Sequence, residues 1–337
     1  MARILYIGNN LSKKSKYNST MATLSSLLMN EGFTVTCSSS KSNKILRLFA
    51  MCIAVISNRN KVDFVLIDTF STTNFYYALI TSQLARLFSL KYIPILHGGN
   101  LPLRLDQSVW FSNLIFKNSY KNISPSNYLK NEFKLRGFNT DYIPNGILIK
   151  DYEYKKRSEL KATILWVRAF DKTYNPLLAI KALALVKLHY NDVKLCMVGP
   201  DKDGSLSEVK ALAKQLNLTK NTIFTGVLPK EQWHAISKEY AIFLNTTNID
   251  NMPVSIIEAM ALGLPIVSTN AGGLPYLIDN NVDGVLVPVN NDKEMANAII
   301  KLIQNPTKGV ELSLNARKKS ESFDLDNVKQ QWLTILT

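Results

Sequence analysis

Cysteine is scarce in this chain: Cys37, Cys52 and Cys196 are the only three among 337 residues. They are too few and too scattered for a disulfide framework or a zinc site, so a reducing compartment is the default expectation. No repeat of solenoid length and no low-complexity tract appears. Met1 leads directly into RILYIG, a strand pattern without the basic, apolar and cleavage regions of a secretory leader. The longest apolar run, ILRLFAMCIAVI at 45–56, is interrupted by Arg47 and falls short of the roughly 20 residues of a spanning helix. Acidic residues are scarce in one half only. Residues 1–150 hold 18 Lys/Arg against 6 Asp/Glu, whereas residues 151–337 hold 22 against 20. A one-sided basic field attracts anionic lipid, phosphorylated substrates or nucleic acid. The aromatic interleaving that stacks single-stranded bases is missing near the lysines, so lipid or phosphate is favoured and no nucleic-acid partner is expected.

What the sequence does contain is strands alternating with helical stretches, twice over. RILYIG (3–8), FTVTCS (33–38), DFVLID (63–68), YIPILH (92–97) and NISPS (122–126) form the first series. ATILWV (162–167), VKLCMVG (193–199), TIFTG (222–226), YAIFLN (240–245) and PIVST (265–269) form the second. Near-continuously apolar strands in βα alternation imply parallel sheets covered on both faces. KDYEYKKRSELK (150–161) separates the series, is dense in charge and reads as a linker. DLDNVKQQWLTIL (324–336) sets Val328, Trp332 and Ile335 on one helical face that must dock on something. Two doubly wound domains with a cleft between them follow, with functional residues just beyond the carboxyl ends of the strands.

One stretch, NIDNMPVSIIEAMALGLPIVSTNAGGLP, carries a lone carboxylate, Glu258, in an apolar run. Asn248 to Asp250 supply N-cap residue types, Pro253 suits a first helical turn, and Gly263 and Pro265 close the helix. A carboxylate among apolar groups needs donors. A vicinal sugar diol is one such partner; a solvated helix face or a nearby lysine is the plainer alternative. The helix start at 251–254 offers backbone N–H groups and the positive dipole end to an anion or a sugar. Gly272-Gly273 permits close backbone approach to a ligand, although such a pair is often only a turn. Asp201 and Asp203 have D-x-D spacing, but a calcium loop would place Lys210 where an acid is required, so this is a solvated turn. His189 and His234 read as surface or packing residues, and His97 stands after a strand and before Gly-Gly. The stretch 41–59 is either a helix buried against the first sheet or a peripheral membrane contact. Lys13, Lys14 and Lys16 suit either a lipid surface or an anionic acceptor.

DNMPVSIIEAMALGLPIVSTNAGGLP resembles the E-x7-E segment of retaining GT-B glycosyltransferases of family 4. IPNGI (143–147), CMVGPD (196–201), FTGVLPKEQW (224–233), DGVLVP (283–288) and SFDLDNVKQQWLTIL (322–336) resemble further segments of that family, in order. The resemblance implies an α/β GT-B fold, with two doubly wound Rossmann-like parallel-sheet domains facing a central cleft. It divides the chain into a basic, acceptor-side domain (1–150), a linker (151–161), a nucleotide-sugar domain (162–318) and a helix at 319–337 docking back on the first domain.

Carried over to this sequence, the resemblance gives Glu258 the ribose hydroxyls of a nucleotide-sugar donor and turns Asp250 to the transferred sugar. The backbone of Asn251, Met252, Pro253 and Val254 would meet the sugar and diphosphate, through N–H groups at all but Pro253, and Arg168 would neutralise that diphosphate. His97 would approach the sugar, and Gly8 the β-phosphate. Gly199 and Gly226 are further donor-side positions. Three departures stand out. The first acid is Asp250 rather than Glu, and the family lysine falls at Tyr174, with Lys172 the nearest substitute. The first loop, GNNLSKKSKYNS, lacks the usual paired glycines. The implied activity is a retaining, metal-independent sugar transfer, without cofactor, to a glycan or lipid-linked glycan in surface polysaccharide synthesis. It would occur in the cytoplasm or on the inner face of the plasma membrane. A nucleotide-sugar 2-epimerase of the same fold and a non-catalytic nucleotide-sugar-binding protein are the alternatives.

Overall fold

A computed structural model of the protein describes residues 1–9 and 20–337. The Lys13, Lys14 and Lys16 cluster lies outside the described residues. Two compact units emerge: Met1–Asn145 together with Leu325–Thr337, and Gly146–Asp324.

The first unit begins with β1 (Arg3–Ile7), α1 (Thr20–Asn30), β2 (Thr34–Ser38), α2 (Lys44–Asn58), β3 (Phe64–Thr69) and α3 (Thr73–Leu87). It continues with β4 (Lys91–Leu96), α4 (Leu101–Gln107), α5 (Val109–Phe116), β5 (Ile123–Ser124), α6 (Asn127–Leu135) and β6 (Asp141–Tyr142). The six strands form one parallel sheet in the order β2-β1-β3-β4-β5-β6. The pleat sends alternate residues to opposite faces. Ile4, Tyr6, Leu66 and Ile93 join the core under α1, while Leu5, Ile7, Val65 and Ile67 join the core under α2 and α3. Of the NISPS run, only Ile123 and Ser124 form a strand.

The second unit contains β7 (Thr163–Val167), α7 (Pro176–Lys187), β8 (Lys194–Val198), α8 (Ser205–Gln215), β9 (Thr222–Gly226), α9 (Lys230–Ser237) and β10 (Ile242–Asn245). There follow α10 (Val254–Ala261), β11 (Ile266–Thr269), α11 (Leu274–Leu277), β12 (Val285–Val287), α12 (Asp292–Gln304) and α13 (Pro306–Ser320). Its parallel sheet runs β12-β11-β10-β7-β8-β9. Trp166, Met197 and Leu244 face the core beneath α7 and α12, and Leu165, Val198 and Phe243 face the core beneath α10.

The stretch 151–161, read as a linker, is folded into this unit. Tyr152, Arg157 and Leu160 are buried. The Arg157 guanidinium donates to the carbonyls of Ser237, Tyr240, Lys155, Leu262 and Gly263 at 2.7–3.0 Å. These include carbonyls at the C-terminal ends of α9 and α10, which no helical N–H can satisfy. Burial pulls the Arg157 pKa down to about 10, so the group stays charged at neutral pH.

The last helix, α14 (Leu325–Leu336), belongs to the first unit, where Val328, Trp332 and Leu336 pack with Ile4, Leu28 and Phe33. Arg157→Leu would strand several buried carbonyls. The expected outcome is a loss of about 3 kcal/mol or more of unfolding free energy in urea titration, where an unpacked linker would show almost none.

Candidate functional site

Because all strands of each sheet run the same way, the loops after them gather at one edge of that sheet. In the second unit those loops begin at Arg168 after β7, Gly199 after β8, the 246–253 segment after β10 and the 270–273 segment after β11. Asp250 stands on the third. Its loop is pinned from several sides: Trp166 Nε1 donates to Thr246 Oγ1 (2.9 Å), Asn248 N to Thr173 O (2.8 Å) and Thr269 Oγ1 to Thr247 O (2.6 Å). Gly272 and Gly273 complete the anchoring. Cβ atoms there would lie 2.3 Å from Asp250 O and 1.8 Å from Asn251 O, and Gly273 N donates to Asp250 O at 2.9 Å. The close approach that this Gly-Gly pair serves is therefore to the Asp250 loop.

Asp250 Oδ2 accepts a hydrogen bond from Arg168 Nη2, so the two expected site residues form an ion pair. The Arg168 guanidinium also lies over the Tyr174 ring, 4.6 Å from its centroid. Tyr174, at the family's lysine position, thus touches the arginine. The Lys172 side chain is 73% exposed, with Nζ 3.8 Å from Glu208 Oε1. Among the described residues the Arg168 Nε has no hydrogen-bond partner although it is buried. Burial draws the Arg168 pKa down, and the charges of Tyr174 and Glu258 oppose that shift. Gly199 lets this segment form, because a Cβ there would stand 1.7 Å from Arg168 O. Gly226 adopts φ +69° beside open space.

Asp250 does not cap the helix. Its Oδ1 accepts Asn251 N at 2.9 Å, and α10 starts only at Val254. That occupies the Asn251 N–H, and Pro253 has none to give, which narrows the backbone donors expected from residues 251–254. Asn251, Met252 and Pro253 are buried.

Glu258 is 6% exposed, so it is no solvated surface residue. Its Oε1 accepts from Lys230 Nζ at 2.6 Å and from the Tyr152 hydroxyl at 2.9 Å. Burial raises the Glu258 pKa, and Lys230 opposes this most strongly, followed by Tyr152 and Arg168. Lys230 Nζ lies 5.3 Å from the Tyr152 ring centroid, and the His234 ring lies 4.7 Å from that of Tyr152. Lys230 and Tyr152 were not singled out from the sequence. The available signal was Lys230 within the FTGVLPKEQW segment, where it opens α9; Tyr152 sat in the supposed linker.

On the first unit, Gly8 and His97 come together around Asp68. His97 Nε2 lies 2.9 Å from Asp68 Oδ1, the Tyr6 hydroxyl donates to the same oxygen at 2.9 Å, and Phe70 stacks on the imidazole. A Cβ on Gly8 would stand 2.4 Å from Asp68 Oδ2. Burial, then the Asp68 charge, pushes the Tyr6 pKa well up, so the phenol remains a donor. Asp68 and Tyr6 were also missed; the acid that ends an apolar strand was the available clue. Asp201 and Asp203 accept the backbone amides of Gly204, Ser205 and Lys172. Among the described residues no group of three or more His, Cys, Asp or Glu could hold a metal ion.

Residues 150–319 match the family model described as Glycosyl transferases group 1. An uncharacterized glycosyltransferase of Haemophilus influenzae is 28% identical over 158 residues, 47% of this chain and 44% of that protein. The amylovoran biosynthesis glycosyltransferase AmsK of Erwinia amylovora is 35% identical over 103 residues, 29% of this chain and 25% of that protein. The chain thus spans less than half the length of these curated relatives. Among solved structures, a sucrose-phosphate synthase from Thermosynechococcus elongatus aligns with TM-score 0.85 and 17% identity, covering 99% of this chain and 98% of that one. Anabaena HepE in complex with UDP-glucose aligns with TM-score 0.78 and 18% identity over 100% and 99% of the two chains. These likenesses show a two-domain GT-B-like fold.

His234 offers a test of the cluster's geometry. Burial, helped by the Lys230 charge, lowers its pKa to about 4. The unfolded chain takes that proton near the ordinary pH of about 6.5, so stability is lost as pH falls from about 6.5 to 4. Allowing for partial solvent screening, the loss is on the order of 2 kcal/mol. An imidazole NMR titration is expected to show His234 neutral down to about pH 5. Unfolding free energies of His234→Phe are expected to vary less over that range than those of the native protein.

Proposed function

The chain belongs to the glycosyl transferases group 1, and on that premise we propose that it is a retaining sugar transferase using a nucleotide-sugar donor. The observation that carries this reading is the joint placement, on one unit, of the Arg168–Asp250 pair and the buried Glu258. Sugar transfer from a nucleotide donor breaks the bond between the anomeric carbon and a diphosphate oxygen, and that leaving group is strongly anionic. Arg168, with its unpartnered Nε, and the start of α10 are the groups suited to stabilise it. The acceptor oxygen bonds to the anomeric carbon on the face the leaving group vacates. The acceptor proton passes to the departing phosphate oxygen, so no protein base is required.

Glu258 is suited to the ribose. A diol can replace the Lys230 ammonium and the Tyr152 hydroxyl as donors to its carboxylate, keeping the buried charge satisfied. Asp250 faces the transferred sugar, one methylene shorter than the usual glutamate. HepE has been solved with UDP-glucose, which supports a UDP-sugar as the first donor to try, and AmsK is named for amylovoran synthesis. The acceptor in this reading is a glycan or lipid-linked glycan of a surface polysaccharide, met at the cytoplasmic face of the membrane. The electrostatic work assigned to Arg168 and α10 makes this a reaction without a metal cofactor.

The test is a saturation-transfer NMR panel of UDP-, GDP- and ADP-sugars. At least one is expected to bind, with Glu258→Gln and Glu258→Ala each weakening it tenfold or more through loss of charged hydrogen bonds. Binding by no member of the panel, or undiminished binding by folded Glu258 variants, overturns the reading. Conversion of a UDP-sugar to its epimer without acceptor would assign the site to epimerisation instead.

A further inference from the structure

Helix α2 presents an apolar face to solvent. Its inner side is anchored: Met51 and Val55 pack against Leu5, Ile7 and Val65 of the first unit. Its start is fixed twice over. Asn43 Oδ1 accepts the Ile45 and Leu46 amides at 2.9 and 3.2 Å, and buried Arg47 donates to Lys41 O, Ser42 O and Asn9 Oδ1. The opposite face is as apolar as the inner one. Ile45, Phe49, Ile53 and Ile56 recur at spacings of four and three, which places them on one stripe. They are 67%, 61%, 63% and 41% exposed. A helix apolar on all sides is ordinarily buried on all sides.

The neighbouring helices carry exposed apolar residues as well. α2 packs beside α3, and α3 beside α5. Tyr76 and Ile80 of α3 are exposed, and Trp110 of α5 is 68% exposed. The Tyr76 ring meets Phe111 at 6.4 Å, and Phe111 meets Trp110 at 5.1 Å, so aromatic contacts link the exposed residues of α3 and α5. Patches of this kind on a folded chain mark an interaction surface.

The charges around it choose the occupant. Lys41, Lys44, Arg59 and Lys61 are exposed at the two ends of α2, and no acidic residue lies between positions 41 and 62. Between positions 69 and 131 the only acid is Asp106, which Arg136 engages at 2.7 Å. A second copy of this chain would set like charges against each other across the contact. An anionic bilayer answers both the basic ends and the apolar stripe, and exposed tryptophan suits its interfacial zone. Fifteen helical residues extend about 22 Å, short of the roughly 30 Å hydrocarbon core, so α2 would lie in the interface rather than cross it. We propose that the α2–α3–α5 face of the first unit docks on an anionic lipid surface, with Ile45, Phe49, Ile53, Ile56 and Trp110 inserting among the lipids. This inference does not rest on the proposed sugar transfer.

The experiment is flotation of the full chain with phosphatidylglycerol/phosphatidylcholine vesicles and with phosphatidylcholine vesicles alone, at low and high salt. Binding is expected to the anionic vesicles and to fall with salt. Phe49→Ser/Ile53→Ser is expected to reduce partitioning at least tenfold, and Trp110→Ser to reduce it severalfold. Lys41→Gln and Lys44→Gln are expected to reduce it about fivefold each. Urea midpoints establish that each variant is folded, and failure of the double variant to fold leaves Trp110→Ser and the lysine variants to decide. The proposal is overturned if the native chain ignores anionic vesicles, or if folded variants bind as the native chain does. It is also overturned if light scattering shows a native dimer that the double variant dissolves, which would give the face to a second copy.

Discussion

The buried charge of Glu258 is the constraint around which the second unit's site is built. A carboxylate taken out of water is tolerated only where donors replace the water. Here the donors come from distant parts of the sequence: Tyr152 from the segment entering the unit and Lys230 from the start of α9, with Arg168 contributing at longer range. Their convergence requires α9, α10 and the 151–161 segment to be in place together. Arg157 and Arg317 perform that task from the other side, since both bind carbonyls at the end of α10 while Arg317 also holds Tyr152 O. The arginines that lock the scaffold and the groups that satisfy the carboxylate are therefore parts of one arrangement.

Much of this was legible before any coordinates. Alternating apolar strands and helices predicted two parallel sheets, because both faces of each sheet are covered and the residues show it. The resemblance pointed to Arg168, Asp250 and Glu258, and the geometry adds their partners. Those partners escaped because a partner's identity depends on which loops meet, and sequence spacing carries little of that. Tyr152 looked like linker because its segment has no periodicity. The segment is held by Arg157, which binds one carbonyl of its own and four from elsewhere in the unit, and by Arg317, which binds Tyr152 O. Lys172 lies close in sequence to the family's lysine position, and the turn at 172–174 places Tyr174 under the guanidinium.

Helix α2 shows a different limit. Of residues 41–59, one stripe of α2 is buried against the first sheet as the first reading expects, and a second apolar stripe is exposed. Apolar periodicity identifies the side of a helix that packs against a sheet only when the other side is polar. With Ile45, Phe49 and Ile53 opposite Met51 and Val55, the pattern has no polar reference, and only the sheet decides which stripe is inside. The scarcity of acids over the same region was plain in the composition, but its meaning depended on seeing which residues share the exposed face.

The placement of α14 has a consequence for how the protein is made. Val328, Trp332 and Leu336 help complete the core that Ile4, Tyr6, Leu28 and Ile93 begin. The strands of the first unit therefore wait for α14 before that core is closed, and the whole of residues 146–324 is synthesised in the interval. Domains usually fold in the order they emerge. In this chain the second unit is contiguous and can finish first, while the first unit stays open along one wall of its sheet until α14 has emerged.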